Sequence, residues 1–416
     1  MRHIPRWSSA LGGAVLLCAT SLIGLASTGA GAASDKAPIL IGYMGDLTGP
    51  AASTFADGPA AAQARVDVLN AAGGIDGRRI KLKVVDTSSS PTGAATAAQE
   101  LVSDHVFGIV ENSALFFGAA KYLQQQHVPV VGTGVDGPEW GTDSNMFDAL
   151  GPPIDGPLAG HQWTTTGAGA LYKKLGVQRV AVLANATPSA VQSAVNDAYG
   201  LTHSGLVNCY ENTSIPLGSV NVTTLVLGLK NSNCQGLFTL YVDSTDVALA
   251  EAIKQAGLNM PGQIYAEGYD NNVLDSPSAR AALDGDYFGA AIDFSSPNAA
   301  TKAMLANLEK YDKSFTGGVP DLGAYGAWVA EDLMIEGLEH AGSNPTPASF
   351  ITNLHQVTDY DGGGLFASSF GFAHFGTAAM VPKRTCAWYV ELKSSKFVAV
   401  NGGKPLCGTY EEIPSS

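Results

Sequence analysis

Positive charge is scarce in this sequence. Its 416 residues hold 23 Lys and Arg against 37 Asp and Glu, a formal net charge of -14. No stretch gathers Lys and Arg, so nucleic acid is excluded as a partner on electrostatic grounds. Cysteine is also sparse. Five are present, with no C-x-x-C or H-x-x-x-H spacing, so a zinc site has no support. Beyond residue 32 no apolar run is long enough to cross a bilayer. Enzyme signatures are missing too: no G-x-S-x-G elbow, no H-E-x-x-H, no G-x-x-x-x-G-K-[ST] loop. The eight histidines are scattered. Neither enzymatic activity nor a cofactor is expected.

Hydrophobic residues make up 45% of the chain and charged residues 14%, which is globular rather than disordered. The length allows two domains. The first 32 residues differ in character. Arg2 and Arg6 precede an apolar run from Ala10 to Ala26, followed by small residues ending in Ala30-Gly31-Ala32. This reads as a secretory signal peptide over 1–32; the run is short for a membrane anchor. Cys18 raises the alternative of lipid anchoring, but it lies inside the apolar run and follows Leu17, where a small residue is wanted. Export removes two arginines and no acids, moving the net charge to -16. Cys209, Cys234, Cys386 and Cys407 then remain, an even number in an exported chain. Of three possible pairings, Cys209–Cys234 and Cys386–Cys407 are preferred because each spans a short local segment.

Apolar strand-like runs alternate with helical stretches. Ile39 to Met44 is a strand, Asp57 to Ala72 a helix with Asp57 as its expected N-cap and stopped by Gly73 and Gly74, and Arg79 to Asp86 the returning strand. A helix over Pro91 to Asp104, a strand over Val106 to Val110, a helix over Ser113 to Gln126 and a strand over Val128 to Val131 follow. After Asp148 to Pro157 the alternation restarts, with an expected helix over Pro157 to Leu175 and strands at Arg179, Leu206, Gly236 and Gln263. Beyond Asp293 the chain reads as helical, then as strands again in the tail. Such repetition implies parallel sheets with helices on both faces. "GAGALY" (Gly167 to Tyr172) lacks the third glycine of a dinucleotide fingerprint and reads as helix packing. "DYDGGG" (Asp359 to Gly364) reads as a turn rather than a calcium loop.

In open α/β sheets, ligands bind beyond the carboxyl ends of the strands. Four polar loops fall there: "ENSALFF" (Glu111 to Phe117), "GTGVD" (Gly132 to Asp136), "YVDSTD" (Tyr241 to Asp246) and "AEGYD" (Ala266 to Asp270). Ser113 reads as a helix cap or as a ligand anchor. Phe116, Trp140, Tyr241 and Tyr269 are candidate apolar walls.

The front of the chain, "IGYMGDLTGP" through Asn70 to Gly77 and Asp86, resembles leucine/isoleucine/valine-type substrate-binding proteins of ABC importers. The "VPVVGTG" and "IKQAGL" segments match in place and order. The resemblance implies a type I periplasmic-binding-protein fold: two doubly wound α/β lobes with parallel central sheets, joined by a three-segment hinge. Lobe one would take 37–153 and 294–354, lobe two 154–293 and 355–410. It further implies an exported protein that passes a small molecule, a branched-chain or other amino acid, to a membrane permease. The ligand site would draw on Asn112, Ser113, Thr133, Gly134 and Val135 from lobe one and on Tyr241 and Glu267 from lobe two. Ser113 would hold the carboxylate and Glu267 the ammonium. The loop at Gly132 to Asp136 departs from the usual pair of hydroxyls, offering Thr133 alone. An amide or aromatic acid as ligand, or a ligand-sensing role, stands as the alternative.

The cleavage expectation predicts that the secreted protein begins at Ala33. Amino-terminal sequencing or intact mass of secreted material checks it; retention of residues 1–32 contradicts it.

Overall fold

The computed structural model describes residues 36–134, 137–152, 158 and 160–414. The expected signal segment, Val135 and most of the connection at 153–157 lie outside these residues.

Among the described residues the strands form two sheets. The first holds β1 (Ile39–Gly45), β2 (Ile80–Asp86), β3 (Ile109–Asn112), β4 (Val130–Gly132) and β5 (Met146–Asp148). Its order is β2-β1-β3-β4-β5, parallel throughout. Between these strands run α1 (Ala52–Phe55), α2 (Gly58–Ala71), α3 (Pro91–Ser103), α4 (Phe117–Gln125) and α5 (Glu139–Thr142). Nearly every residue of β1 is buried, as expected of a parallel strand covered on both faces.

The second sheet begins with β6 (Gln162–Thr165), α6 (Gly167–Lys174), β7 (Arg179–Asn185), α7 (Pro188–His203), β8 (Val207–Ile215), α8 (Thr223–Asn231), β9 (Gly236–Leu240), α9 (Asp243–Gln255) and β10 (Gly262–Tyr265). Next come α10 (Asn271–Asp275), α11 (Pro277–Leu283) and β11 (Tyr287–Ala290). The chain then forms α12 (Ala299–Tyr311), α13 (Leu322–His340) and α14 (Pro347–Leu354) before β12 (Arg384–Lys393), β13 (Lys396–Ala399) and β14 (Leu406–Ile413). The order is β6-β14-β12-β11-β10-β9-β7-β8, with β13 on β12. Its centre is parallel; β12, β14 and β6 join antiparallel.

The turn after α2 shows how sequence sets the first βαβ unit. Gly73 and Gly74 adopt φ of 112° and 72°, left-handed values that a side chain would resist. The Asn70 side chain then ties the helix end to the next strand. Its Nδ2 donates to Ile80 O and its Oδ1 accepts from Ile80 N, both at 2.9 Å. Helices α12–α14 return to the first sheet. Arg65 of α2 bonds Asp332 of α13 at 2.7 Å, and Phe350 of α14 meets Phe107 edge-on at 5.9 Å. Residues after α14 stay on that side for a while: His355 and Phe372 pack on Phe147, and Tyr360 Oη donates to Val329 O. The chain regains the second sheet at Arg384.

Three expectations are corrected. Pro157 to Leu175 is not one helix; Gln162–Thr165 is a strand, because this Trp-Thr-Thr run pairs with the tail strand β14. The helix expected from Ser113 starts only at Phe117, since the Ser113 side chain is held by Asp46 instead of capping. Asp57 precedes α2 but makes no side-chain cap. The structure joins Cys209 to Cys234 and Cys386 to Cys407, with Cα atoms 5.8 and 4.1 Å apart. The second pair sits directly opposite across β12 and β14.

Glu331 lies on α13 with no exposed surface, and neither of its carboxylate oxygens has a hydrogen-bond partner. Burial pushes its pKa up to about 8; nearby Arg65 lowers it, and Asp332 raises it. The folded chain therefore holds a proton that the unfolded chain releases above its ordinary value of 4.5. Stability must fall as pH rises between those values.

Two predictions follow from these contacts. Denaturant unfolding at pH 5 and pH 8 should show a loss of about 2–4 kcal/mol from Glu331, a loss absent in Glu331→Met; equal pH dependence in both proteins contradicts this. Reducing the disulfides should cost about 3 kcal/mol each in the chain-entropy account, and an unfolding midpoint that ignores reductant contradicts that.

Candidate ligand-binding cleft

The carboxyl ends of both sheets face a cavity of about 540 Å³, counting its open mouth. Thr54 and Phe55 of α1 and Ala114 line it from the first lobe; Asn185, Ser193, Tyr241 and Glu267 line it from the second. The lobes touch at its edge. Asp243 N donates to Thr54 Oγ1 at 3.1 Å, and Phe55, Val242 and Leu217 share an apolar cluster.

Of the expected site residues, the cavity brings together Tyr241 and Glu267. Asn112 and Ser113 serve the frame beneath it. Asn112 Nδ2 donates to Tyr43 Oη at 3.1 Å and to Gly323 O at 2.7 Å, tying β3 to β1 and α13. Thr133 is buried, and its Oγ1 has no partner. Gly134 has a φ of 53°, and a Cβ there would fall 2.1 Å from the Asp148 carboxyl carbon. Val135 lies outside the described residues.

Ser113 is fully engaged by its own lobe. Its N–H donates to Glu111 Oε1 at 2.6 Å, and its Oγ accepts from Leu115 N at 3.2 Å. The same Oγ donates to Asp46 Oδ1 at 2.8 Å, while Ala114 N donates to Asp46 Oδ2 at 2.8 Å. Thr87 Oγ1 adds a third donor to Asp46. Asp46 is fully buried at the end of β1. Burial raises its pKa, while the bonds from Thr87, Ser113 and Ala114 lower it.

Of the four aromatic candidates only Tyr241 reaches the cavity. Phe116 packs against Trp140 with ring centroids 5.2 Å apart inside the first lobe's core. Tyr269 packs between Phe294 and Phe397, and its Oη accepts from Phe294 N.

The second-lobe wall is acidic. Burial raises the pKa of Glu267 well above the carboxylate range, reinforced by the charges of Asp246, Asp243, Asp270 and Asp321. Asp246 is fully buried and accepts from Glu267 N at 3.1 Å, yet its Oδ1 has no partner. Burial also lifts Asp243 to about 7 and Asp270 to about 6. Among the described residues no Lys, Arg or His lines the cavity. Buried carboxylates without a counter-charge are costly, and perturbed carboxylates in a cleft mark a functional site.

Sequence reasoning missed Asp46, Asn185, Ser193 and Thr54. Asp46 and Asn185 stand at strand carboxyl ends, so the strand-end rule could have named them. Ser193 lies one turn inside α7 and carried no signal. Among the described residues no helix is long and apolar enough to cross a membrane, and no cluster of His, Cys, Asp and Glu could hold a metal.

Comparison with known proteins follows the same lines. A family model described as periplasmic binding protein matches residues 38–396. A Leu/Ile/Val-binding protein homolog of Brucella melitensis is 25% identical over 344 residues, covering 80% of this chain and 88% of the relative. Among solved structures, the branched-chain amino acid transporter substrate binding protein LivJ of Streptococcus pneumoniae, in complex with isoleucine, has a TM-score of 0.68 at 18% identity. That likeness covers 89% of this chain and 99% of LivJ. A solute binding protein of an ABC transporter from R. palustris, in complex with benzoate, has the same TM-score at 15% identity, covering 89% and 97%. These two likenesses concern the fold, two lobes with parallel central sheets facing across a cleft. With the family model spanning most of its length, the chain belongs to the periplasmic binding protein family.

Proposed function

We propose that this protein is exported, captures a small amine-bearing solute between its two lobes and delivers it to the membrane permease of an ABC importer. The observation that carries this reading is Glu267. It lines the cavity among other buried carboxylates, with no cation of the protein beside it. A ligand ammonium would supply the missing charge, and a charge buried in such a site needs that pairing. An amino acid, branched-chain or other, is the first reading. The name of the Brucella relative supports it, and so does the isoleucine held by LivJ. An amide or another small organic solute is the second. It is favoured by the Ser113 hydroxyl and Ala114 amide, which are already taken by Asp46.

The lobes we propose are 37–153 with 294–354, and 154–293 with 355–410, the residues just after 354 leaning on the first lobe. Three crossovers would act as the hinge. Ligand would favour the closed form only through contacts made better there. The Thr54–Asp243 bond is one contact that closure would hold.

A thermal-unfolding scan of residues 33–416 against amino acids, amides and amines identifies binders. A ligand at a hundred times its Kd adds about 2.7 kcal/mol of stability. For any amine found, Glu267→Gln should weaken binding tenfold or more by calorimetry, on the ~1.5–3 kcal/mol scale of charged hydrogen bonds. Unchanged affinity contradicts the role of Glu267.

A further inference from the structure

The cleft leaves several buried polar atoms open, while the donors at one set of strand ends are already taken. On the first-lobe side, the donors that converge at the strand ends are Ser113 Oγ, Ala114 N and Thr87 Oγ1, and all three end on the Asp46 carboxylate. Ala114 itself lines the cavity, so this plug lies against the ligand space. On the second-lobe side stand Glu267 and, behind it, Asp243, Asp246 and Asp270.

Unpartnered oxygens on three lining residues give an independent observation. Asn185 Oδ1, Ser193 Oγ and Tyr241 Oη have no hydrogen-bond partner, although the three residues are only 4%, 4% and 3% exposed. The Asn185 Nδ2 donates to Leu240 O at 3.3 Å, which fixes the amide with its oxygen as the free group. That oxygen can only accept. Buried polar atoms of this kind are normally satisfied, so a site that leaves several open is built for a polar ligand; the Asn185 oxygen needs a donor, while the two hydroxyls can accept or donate.

We infer that Asp46 is a built-in carboxylate that occupies the donor set where an anionic ligand group would dock, leaving the cleft fitted to a donor-rich amine or amide without a free carboxylate. The inference rests on the reading of Glu267 as the ligand's counter-charge and, within the amine-bearing class, puts an amino-acid amide or amine in place of the free amino acid. An N–H-bearing ligand would meet Glu267 at one end, with the Asn185 oxygen and the two hydroxyls as further partners. A ligand carboxylate would find the donors at Ser113 and Ala114 already taken by Asp46 and would meet Glu267 in the cavity. Asp46 is thus the residue that sets acid against amide.

The test compares each α-amino acid with its own primary amide and its decarboxylated amine, by thermal shift and then calorimetry on wild-type residues 33–416. At least one amide or amine should bind ten times more tightly than the matching acid. In Asp46→Ser the freed donors should narrow or reverse that preference. The wild-type comparison stands alone if the variant folds poorly. An acid that binds as well as its amide overturns the inference while leaving the solute-binding reading intact. A wild-type protein that ignores every amine and amide, and responds only to carboxylic acids such as benzoate or to nothing, overturns it together with the role of Glu267.

Discussion

One carboxylate, Glu267, facing a cavity that among the described residues no lysine, arginine or histidine lines, with Asp243, Asp246 and Asp270 close behind, is the constraint on which the rest of this structure turns. Burial and the neighbouring acids hold the Glu267 carboxyl well above its ordinary range, and a ligand cation is what would favour its charged form. The protein carries this imbalance because parallel sheets direct their strand ends, and the loops after them, into the gap between the lobes. Asp46, Asn185, Tyr241 and Glu267 all sit at or just beyond strand ends. Their burial follows from β1, β7, β9 and β10 being covered on both faces by helices.

The frame around the cleft is held by contacts distant from the ligand space. Asn112 links β1, β3 and α13 through Tyr43 and Gly323. Arg65 and Asp332 lock α2 to α13. The short helix α1 carries Thr54 and Phe55 to the second lobe, where they meet Asp243 and Val242. The first lobe thus presents one edge, at α1, to a second lobe that supplies most of the polar wall.

Much of the fold was legible in the sequence. Glycine stops, apolar runs and the N-A-x-G-G-I-x-G turn are local signals, and the structure uses each where it stands. The run at Gln162 was not legible as a strand, because its partner β14 lies some 240 residues later and only that pairing makes it one. The site was legible in part. Glu267 and Tyr241 follow from strand-end position and resemblance. Ser113 was recognised as polar and well placed, but its commitment to Asp46 depends on how two strands bring distant residues together. The open oxygens of Asn185 and Ser193 are visible only once the surrounding hydrogen bonds are assigned.

The central claim is that the cleft is a site for an amine or amide. Native mass spectrometry of the secreted protein, isolated without refolding, tests it most directly by weighing whatever small molecule remains bound. The account predicts a bound species that shows an amine or amide nitrogen when fragmented. A co-purified aromatic or fatty acid that bears no such nitrogen would contradict it.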